Sequence, residues 1–314
     1  MARRDDSSGL DRVFALLDEA PAGLHEVAPP IGNIPSGLPQ ALLELFAYCD
    51  GAQLFLDTLQ LAPSADIVAE NGRWTFGILD GDELSIDARG RVWRADASID
   101  AEVCEGSRLD RWLAGAIDAI ALLYDADGEF AEAVFDVDGE ILPKVHEAQL
   151  RAQLRRDAGA PGPRWRLAHA LLAQDTPEST DDARRQLEEL VAKEPAFAWA
   201  WLDLARISEK LGDLANALDE ARAAADAAAG HSQAGYFWAQ VARLAQRAND
   251  EPARIAAARR AAELAPELKA AQLAGARESL AEGDAPSAIG LVELLRAVWP
   301  TDLEVLDLAG KLEN

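Results

Sequence analysis

Four carboxylates, Asp80, Asp82, Glu83 and Asp87, fall within the stretch LDGDELSIDARGR. Paired acidic side chains are the raw material of general acid–base catalysis. LDGDE and DARGR, however, read as tight turns, and carboxylates on turns are far more often solvated than catalytic. The four are therefore expected to form an acidic recognition face for a basic partner. A second set of candidates is cationic. Arg206, Arg243, Arg277 and His169 each follow directly on a small residue, Ala205, Ala242, Ala276 and Ala168. Lys210 and Arg247 come one helical turn later, and Trp165, Trp199 and Tyr236 stand shortly before. A guanidinium is a planar fork of donors suited to a carboxylate, and a desolvated charge-assisted bond contributes about 1.5 to 3 kcal/mol. Such a row suits an extended acidic segment, with the rings adding apolar contact. The competing arrangement has these cations solvated or paired with neighbours such as Glu209, where an exposed pair contributes about 0 to 1 kcal/mol.

Nothing else has the spacing of a reaction centre. The chain contains no GxxxxGK[ST], GxGxxG, HExxH or GxSxG pattern. His25, His146, His169 and His231 are scattered. Cys49 and Cys104 lie in apolar surroundings without metal spacing and are expected to be buried small hydrophobes rather than a disulfide or zinc pair. The fragments DADGE and DVDGE, at 125–129 and 136–140, are too short for a calcium loop closed by a distant glutamate and read as turns. No enzyme, cofactor or metal site is expected.

The elements that would position the cations repeat. Trp201, Leu204, Ala205, Gly212, Ala217, Ala221 and Ala224 mark one unit; Trp238, Val241, Ala242, Ala258, Ala261 and Pro266 the next; Gly275, Ala276, Gly283, Ala288, Val292, Leu295 and Pro300 a third. A less regular earlier copy carries Leu167, Ala168, Leu171, Ala183, Leu187, Leu190 and Pro195. Over roughly residues 161–302 this pattern resembles the tetratricopeptide (TPR) repeat, a helix-turn-helix unit of about 34 residues. The resemblance implies stacked hairpins, with the residue after the small one pointing into a concave groove. The first copy departs from it by the insertion QDTPESTDD, whose Ser179 or Thr180 is placed to cap a helix, and the third by Arg254 in a slot where alanine is usual. Gly212 and Gly283 are expected at left-handed turns, and TDLEVLDLAGKLEN reads as a terminal helix with Leu303, Leu306 and Leu312 on its covering side.

The first half reads differently. DRVFALLDEA is a short helix and PAGLHEVAPPIGNIPSG a loop; GLPQALLELFAYCDG is a helix led by proline and stopped by glycine. QLFLDTLQLA, RWTFGILD, ELSID and RVWRAD alternate as strands, and SRLDRWLAGAIDAIALLYDA is an amphipathic helix. GLPQALLELFAYCDGAQLF, WTFGILDGDELSIDARGRVW and SRLDRWLAGAI together resemble the SUKH superfamily of Smi/Knr-type domains over roughly residues 35–125. That resemblance implies binding rather than catalysis, most concretely an immunity protein that neutralises a toxin. The expected organisation is an N-terminal helix and Pro-rich arm (1–34), a SUKH-like α+β domain (35–150), a linker through AGAPGP (151–163), and an all-α TPR-like solenoid with a terminal capping helix (164–314).

Charge separates the halves. The 314 residues carry a net charge of -25, and residues 1–150 hold 29 Asp and Glu against 10 Lys and Arg. So acidic a surface disfavours nucleic acid and anionic membrane and favours basic proteins. MARRDDSSGLDRVF has acidic residues where a signal peptide would be apolar, so a cytoplasmic protein is expected. Two functional readings follow: an immunity-type protein with a basic partner on the acidic domain and an acidic peptide in the groove, or a scaffold or adaptor with no toxin role. The basic groove facing the acidic half of the same chain is a third arrangement.

Overall fold

Side chains between residues 52 and 106 alternate between buried and accessible positions over short runs, the period of a pleated strand with one face on a core. A computed structural model of the protein, describing residues 9–18, 23–32, 34–96, 99 and 101–312, shows the result. Strands β1 (His25–Val27), β2 (Ala52–Leu54), β3 (Leu59–Leu61), β4 (Val68–Glu70), β5 (Arg73–Leu79), β6 (Asp82–Asp87), β7 (Val92–Asp96) and β8 (Ala101–Gly106) form an antiparallel sheet. Their order is β1-β2-β3-β5-β6-β7-β8, with β4 paired to β5. Leu54, Leu59, Phe76, Leu84, Ile86 and Val92 project from the sheet into a core closed by helices α1 (Gly9–Asp18), α2 (Gln40–Phe46) and α3 (Leu109–Ala121), which supply Val13, Leu42, Phe46, Trp112 and Ile117.

Two segments depart from the expected pattern. QLFLDTLQLA is not one strand: its alternation is broken at Phe55 and Leu56, and the pieces pair as β2 and β3. HEV, inside the expected Pro-rich loop, pairs with β2 as β1, so part of the arm belongs to the sheet.

The chain divides into two compact units, residues 1–179 and 180–314. The stretch 151–163 expected to link domains lies inside the first. There, helix α4 (Pro143–Arg156) packs on α3, and α5 (Pro161–Leu172) packs on α4 and β8. Polar bonds fix this addition. Asp157 accepts from the amide of Ser107 at 2.6 Å and from its hydroxyl at 2.7 Å, and Arg166 of α5 pairs with the buried Glu105 of β8. The two helices of the earliest repeat copy are therefore divided, because the unit boundary crosses the first turn of α6 (Pro177–Lys193). Thr176, rather than Ser179 or Thr180, caps α6: its hydroxyl accepts from Ser179 N at 3.1 Å, and the Ser179 hydroxyl accepts from Thr176 N at 3.2 Å.

In the second unit, three hairpins follow: α7 (Ala198–Lys210) with α8 (Leu214–Ala227), α9 (Ala234–Arg247) with α10 (Glu251–Leu264), and α11 (Leu268–Glu282) with α12 (Ala285–Val298). Their turns are alike. Gly212, Asn249 and Gly283 are left-handed at φ 82°, 56° and 82°. The next residue is each time an aspartate, Asp213, Asp250 and Asp284, whose side chain caps the second helix at 3.2, 3.1 and 3.2 Å. Its amide bonds back to Ser208, Ala245 or Ser279 O at 2.9, 2.9 and 2.8 Å, closing the first helix as a Schellman turn does.

Stacking is regular only for the first two hairpins. α9 packs on α8, but it is α12, not α11, that packs against both α9 and α10. Leu294, Ala297 and Val298 of α12 join the core formed with α9 and α10, while Val292 and Leu295 face α11 and the terminal helix α13 (Leu303–Leu312). α11 itself buries only Leu273 and Ala276. Arg254, conspicuous in the sequence as a departure, is what receives α12: its guanidinium donates to Ala297 O at 2.7 Å. The terminal helix also turns a different side inward. Val305, Leu308 and Ala309 are buried, whereas Leu303 and Leu306 are 80% and 44% exposed.

Arg254→Ala would restore the residue usual in a regular repeat, yet here it should lower the stability of the second unit by about 1.5 to 3 kcal/mol in urea unfolding. A neutral or stabilising result would show that the bond to Ala297 O does not seat α12.

Candidate functional site

Helices α7 and α9 bring five of the expected residues together. The ring of Trp199 lies 6.0 Å from that of Tyr236, and Phe237, fully buried, sits 4.9 Å from Trp199. Beside the rings, the Arg206 guanidinium donates to Asp203 Oδ1 at 2.8 Å and to Tyr236 Oη at 3.4 Å. One turn on, Glu209 accepts two bonds from Arg243 at 2.6 and 2.7 Å and another from Arg247. Arg243 is further fixed by Gln240 Oε1 at 3.0 Å. Ala205, Ala239 and Ala242 are fully buried, and small residues of this kind let stacked hairpins pack closely.

The arginines thus differ in kind. Arg243 and Glu209 are only 13% and 11% exposed at the side chain, a desolvated bidentate pair that fastens α9 to α7. Arg206 and Arg247 are about half exposed, at 47% and 49%. Each leaves part of its fork to solvent while its other donors hold Asp203 or Glu209. Three arginines, Arg206, Arg243 and Arg247, thus share two carboxylates, Asp203 and Glu209. Burial works against ionisation of Glu209, but the bonds and charge of Arg243 and Arg247 outweigh it and hold the carboxyl below its ordinary 4.5.

The remaining candidates lie apart. Arg277 is on α11, which is not seated on α9, and its partner is Glu304 of α13 at 3.5 Å. A continuous row Arg206–Arg243–Arg277 therefore does not form. Trp165 and His169 pack edge to face at 4.7 Å on α5 of the first unit. Asp203 and Phe237, which complete the α7–α9 face, were not among the residues picked out by the repeat pattern. The signal for Asp203 was its place three residues before Arg206, where a helix sets side chains side by side.

The acidic four do not make one face. Asp80, Asp82 and Glu83 cluster at the β5–β6 turn, where Asp82 pairs with Arg94 at 2.6 Å and Glu83 accepts from Thr75 at 2.8 Å. Asp87 sits at the far end of β6, roughly 16 Å along a strand. There it is a structural group. It accepts from the amides of Arg89 and Arg91 at 2.9 and 3.0 Å and from Arg91 Nε at 2.8 Å, closing the β6–β7 turn. Burial opposes its ionisation, yet these bonds from Arg91 and Arg89 hold the carboxyl below its ordinary 3.8.

Cys49 and Cys104 are buried free thiols. Among the described residues, no group of three or more His, Cys, Asp or Glu could hold a metal ion, and no helix is long and apolar enough to cross a membrane.

No family model matches the chain, and no curated protein matches it in sequence. Solved structures to which it is similar include PilF of Pseudomonas aeruginosa, 15% identical over 64% of this chain and 82% of that one, with a TM-score of 0.37. MamA is 14% identical over 55% of this chain and 87% of its own, with a TM-score of 0.36. YrrB, described as a TPR protein with an unusual peptide-binding site, is 14% identical over 54% and 84%, with a TM-score of 0.34. At these scores the likeness carries no functional argument. The repeat character of the second unit rests on its three matching hairpin turns, and the SUKH reading of the first has only the sequence resemblance behind it.

Arg243→Met removes two of the three guanidinium bonds to the largely dry Glu209, leaving only that of Arg247, and should lower the stability of the second unit by about 2 to 3 kcal/mol, whereas Arg277→Met, at an exposed pair, should cost under about 1 kcal/mol. Equal effects in urea unfolding would contradict the difference in burial. Because the folded carboxyl of Glu209 is depressed, its stabilising share is present above the ordinary carboxylate range and lost as pH falls through the folded value. The stability gap between the wild type and Glu209→Gln should therefore narrow below about pH 4.

Proposed function

We propose that the protein is a non-enzymatic scaffold or adaptor that holds an acidic segment of a partner protein on the α7–α9 face of its second unit. One observation carries this reading: two half-exposed guanidinium groups, Arg206 at the Tyr236 hydroxyl of the Trp199–Tyr236 ring pair and Arg247 farther along α9 at Glu209, stand on a face where Arg243 is already paired. Arg243 and Glu209 hold the frame, so the donors left over on Arg206 and Arg247 need not be reoriented to meet a carboxylate. The rings supply apolar contact of fixed shape beside Arg206. A cytoplasmic setting agrees with two reduced, buried cysteines.

The toxin-neutralising role implied by the SUKH resemblance has no comparable support. Its acidic residues are divided between two ends of β6, and Asp82 and Asp87 are engaged with Arg94 and Arg91.

The test is fluorescence anisotropy with a labelled, extended peptide rich in Asp and Glu and containing one aromatic residue, at about 0.15 M salt. Arg206→Glu combined with Arg247→Glu should weaken binding at least about tenfold with helical circular dichroism unchanged. Arg277→Glu should leave it within about twofold. Binding that survives the double reversal would remove the α7–α9 face as the site.

A further inference from the structure

Two successive bulky residues at the β2–β3 connection, Phe55 and Leu56, hold left-handed backbone at φ 54° and 57°. Hairpin turns with that geometry ordinarily take Asn, Asp or Gly, and side chains of this size are strained there. The strain sorts the two residues. Phe55 is 1% exposed, while Leu56 is 55% exposed.

From Phe55 a chain of rings leads outward. Phe55 lies 5.5 Å from Tyr124, Tyr124 stacks on Phe130 at 4.8 Å, and Phe130 meets Phe135 edge to face at 5.6 Å. Tyr124 Oη also donates to Phe55 O at 3.4 Å, tying the turn to the ring chain. Phe130 is 53% exposed. Leu56 and Phe130 are thus presented to water at the two ends of one ring-linked segment, apolar points of fixed position that a partner can cover with little loss of freedom.

The segment that carries Phe130 is strongly charged. Residues 125–140 hold seven carboxylates and no Lys or Arg. Asp125 and Asp136 use a carboxylate oxygen to close their own turns, accepting from Asp127 N at 2.9 Å and Glu129 N at 3.1 Å, and from Asp138 N at 2.9 Å and Glu140 N at 3.0 Å. The side chains of Asp127, Glu129, Asp138 and Glu140 are exposed and have no partner among the described residues.

We infer that Leu56 and Phe130 form a docking surface for a basic, amphipathic segment of a partner protein, whose successive apolar side chains cover the two residues while its lysines or arginines meet Asp127, Glu129, Asp138 and Glu140. Charge selects this occupant. Nucleic acid and anionic lipid are repelled by these carboxylates, and a net charge of -25 disfavours a second copy of the chain. The surface is separate from the α7–α9 face and does not depend on the function proposed for it.

The probe is a fluorescein-labelled peptide of leucine and lysine at amphipathic helical spacing, titrated with the full chain at about 0.15 M salt. A second peptide with serine in place of leucine should bind at least about tenfold more weakly, which separates docking from bulk charge attraction. Leu56→Gly is the decisive variant. Glycine accepts φ 57° without strain and little burial is lost, so the thermal midpoint should rise while affinity for the leucine–lysine peptide falls at least about tenfold. Phe130→Ser should lower affinity to a similar degree, and Arg206→Glu with Arg247→Glu should not lower it. Unchanged affinity in Leu56→Gly, or a fall in its midpoint, would overturn the inference. So would concentration-dependent self-association abolished by Leu56→Gly, since a second copy would then be the occupant.

Discussion

α12 is apolar on two sides, and the second unit is arranged around the need to bury both. Leu294, Ala297 and Val298 require one covering surface, Val292 and Leu295 another. A helix at the end of a regular stack has only one neighbour to offer. α11, with Leu273 and Ala276 as its buried residues, needs far less cover. Exchanging the order, so that α12 lies against α9 and α10 and α11 lies outside it, satisfies both helices. The exchange also leaves the polar α11 carrying Arg277 away from the α7–α9 face. Where a charged residue ends up is thus decided by apolar side chains on a different helix.

The charges on α7 and α9 follow a second rule, that a guanidinium taken out of water must bring a carboxylate with it. Arg243 obeys this with Glu209, and Arg206 with Asp203, which is almost fully buried. A buried pair of this kind is weak evidence for extra stability, because desolvation offsets much of the attraction. Its contribution is directional: two parallel bonds fix how α9 is turned relative to α7, and hence where Trp199 and Tyr236 meet. Arg247 shares the same carboxylate but keeps half its surface, which is the difference between a fastening and a contact group.

Much of this was legible in the residues. The hairpins of α7 to α12 were marked by Ala205, Ala242, Ala276, Gly212 and Gly283, because backbone approach and left-handed turns tolerate few alternatives. The helices of residues 40–46 and 109–121 and the strands of 73–96 were likewise marked by their periodicity. What escaped was tertiary. β1 is three residues among prolines and glycines, too short for any period to show. The break at Phe55 and Leu56 puts bulky apolar residues where local preference forbids a turn, so the sequence reads as continuous strand. The exchange of α11 and α12 depends on comparing the burial needs of two helices, information that a repeat pattern averages away. Arg254 was visible as an anomaly, but its purpose lies 43 positions downstream.

The three matching turns carry a consequence for how the second unit assembles. Each is closed by bonds spanning five residues or fewer, from Asp213, Asp250 and Asp284 back to Ser208, Ala245 and Ser279 and forward to the capped amides. Closing so short a loop loses little chain entropy, so each turn favours its own hairpin without help from the others. Their mutual docking, such as that of α12 on α9 and α10, joins residues farther apart in the chain and carries the larger closure cost.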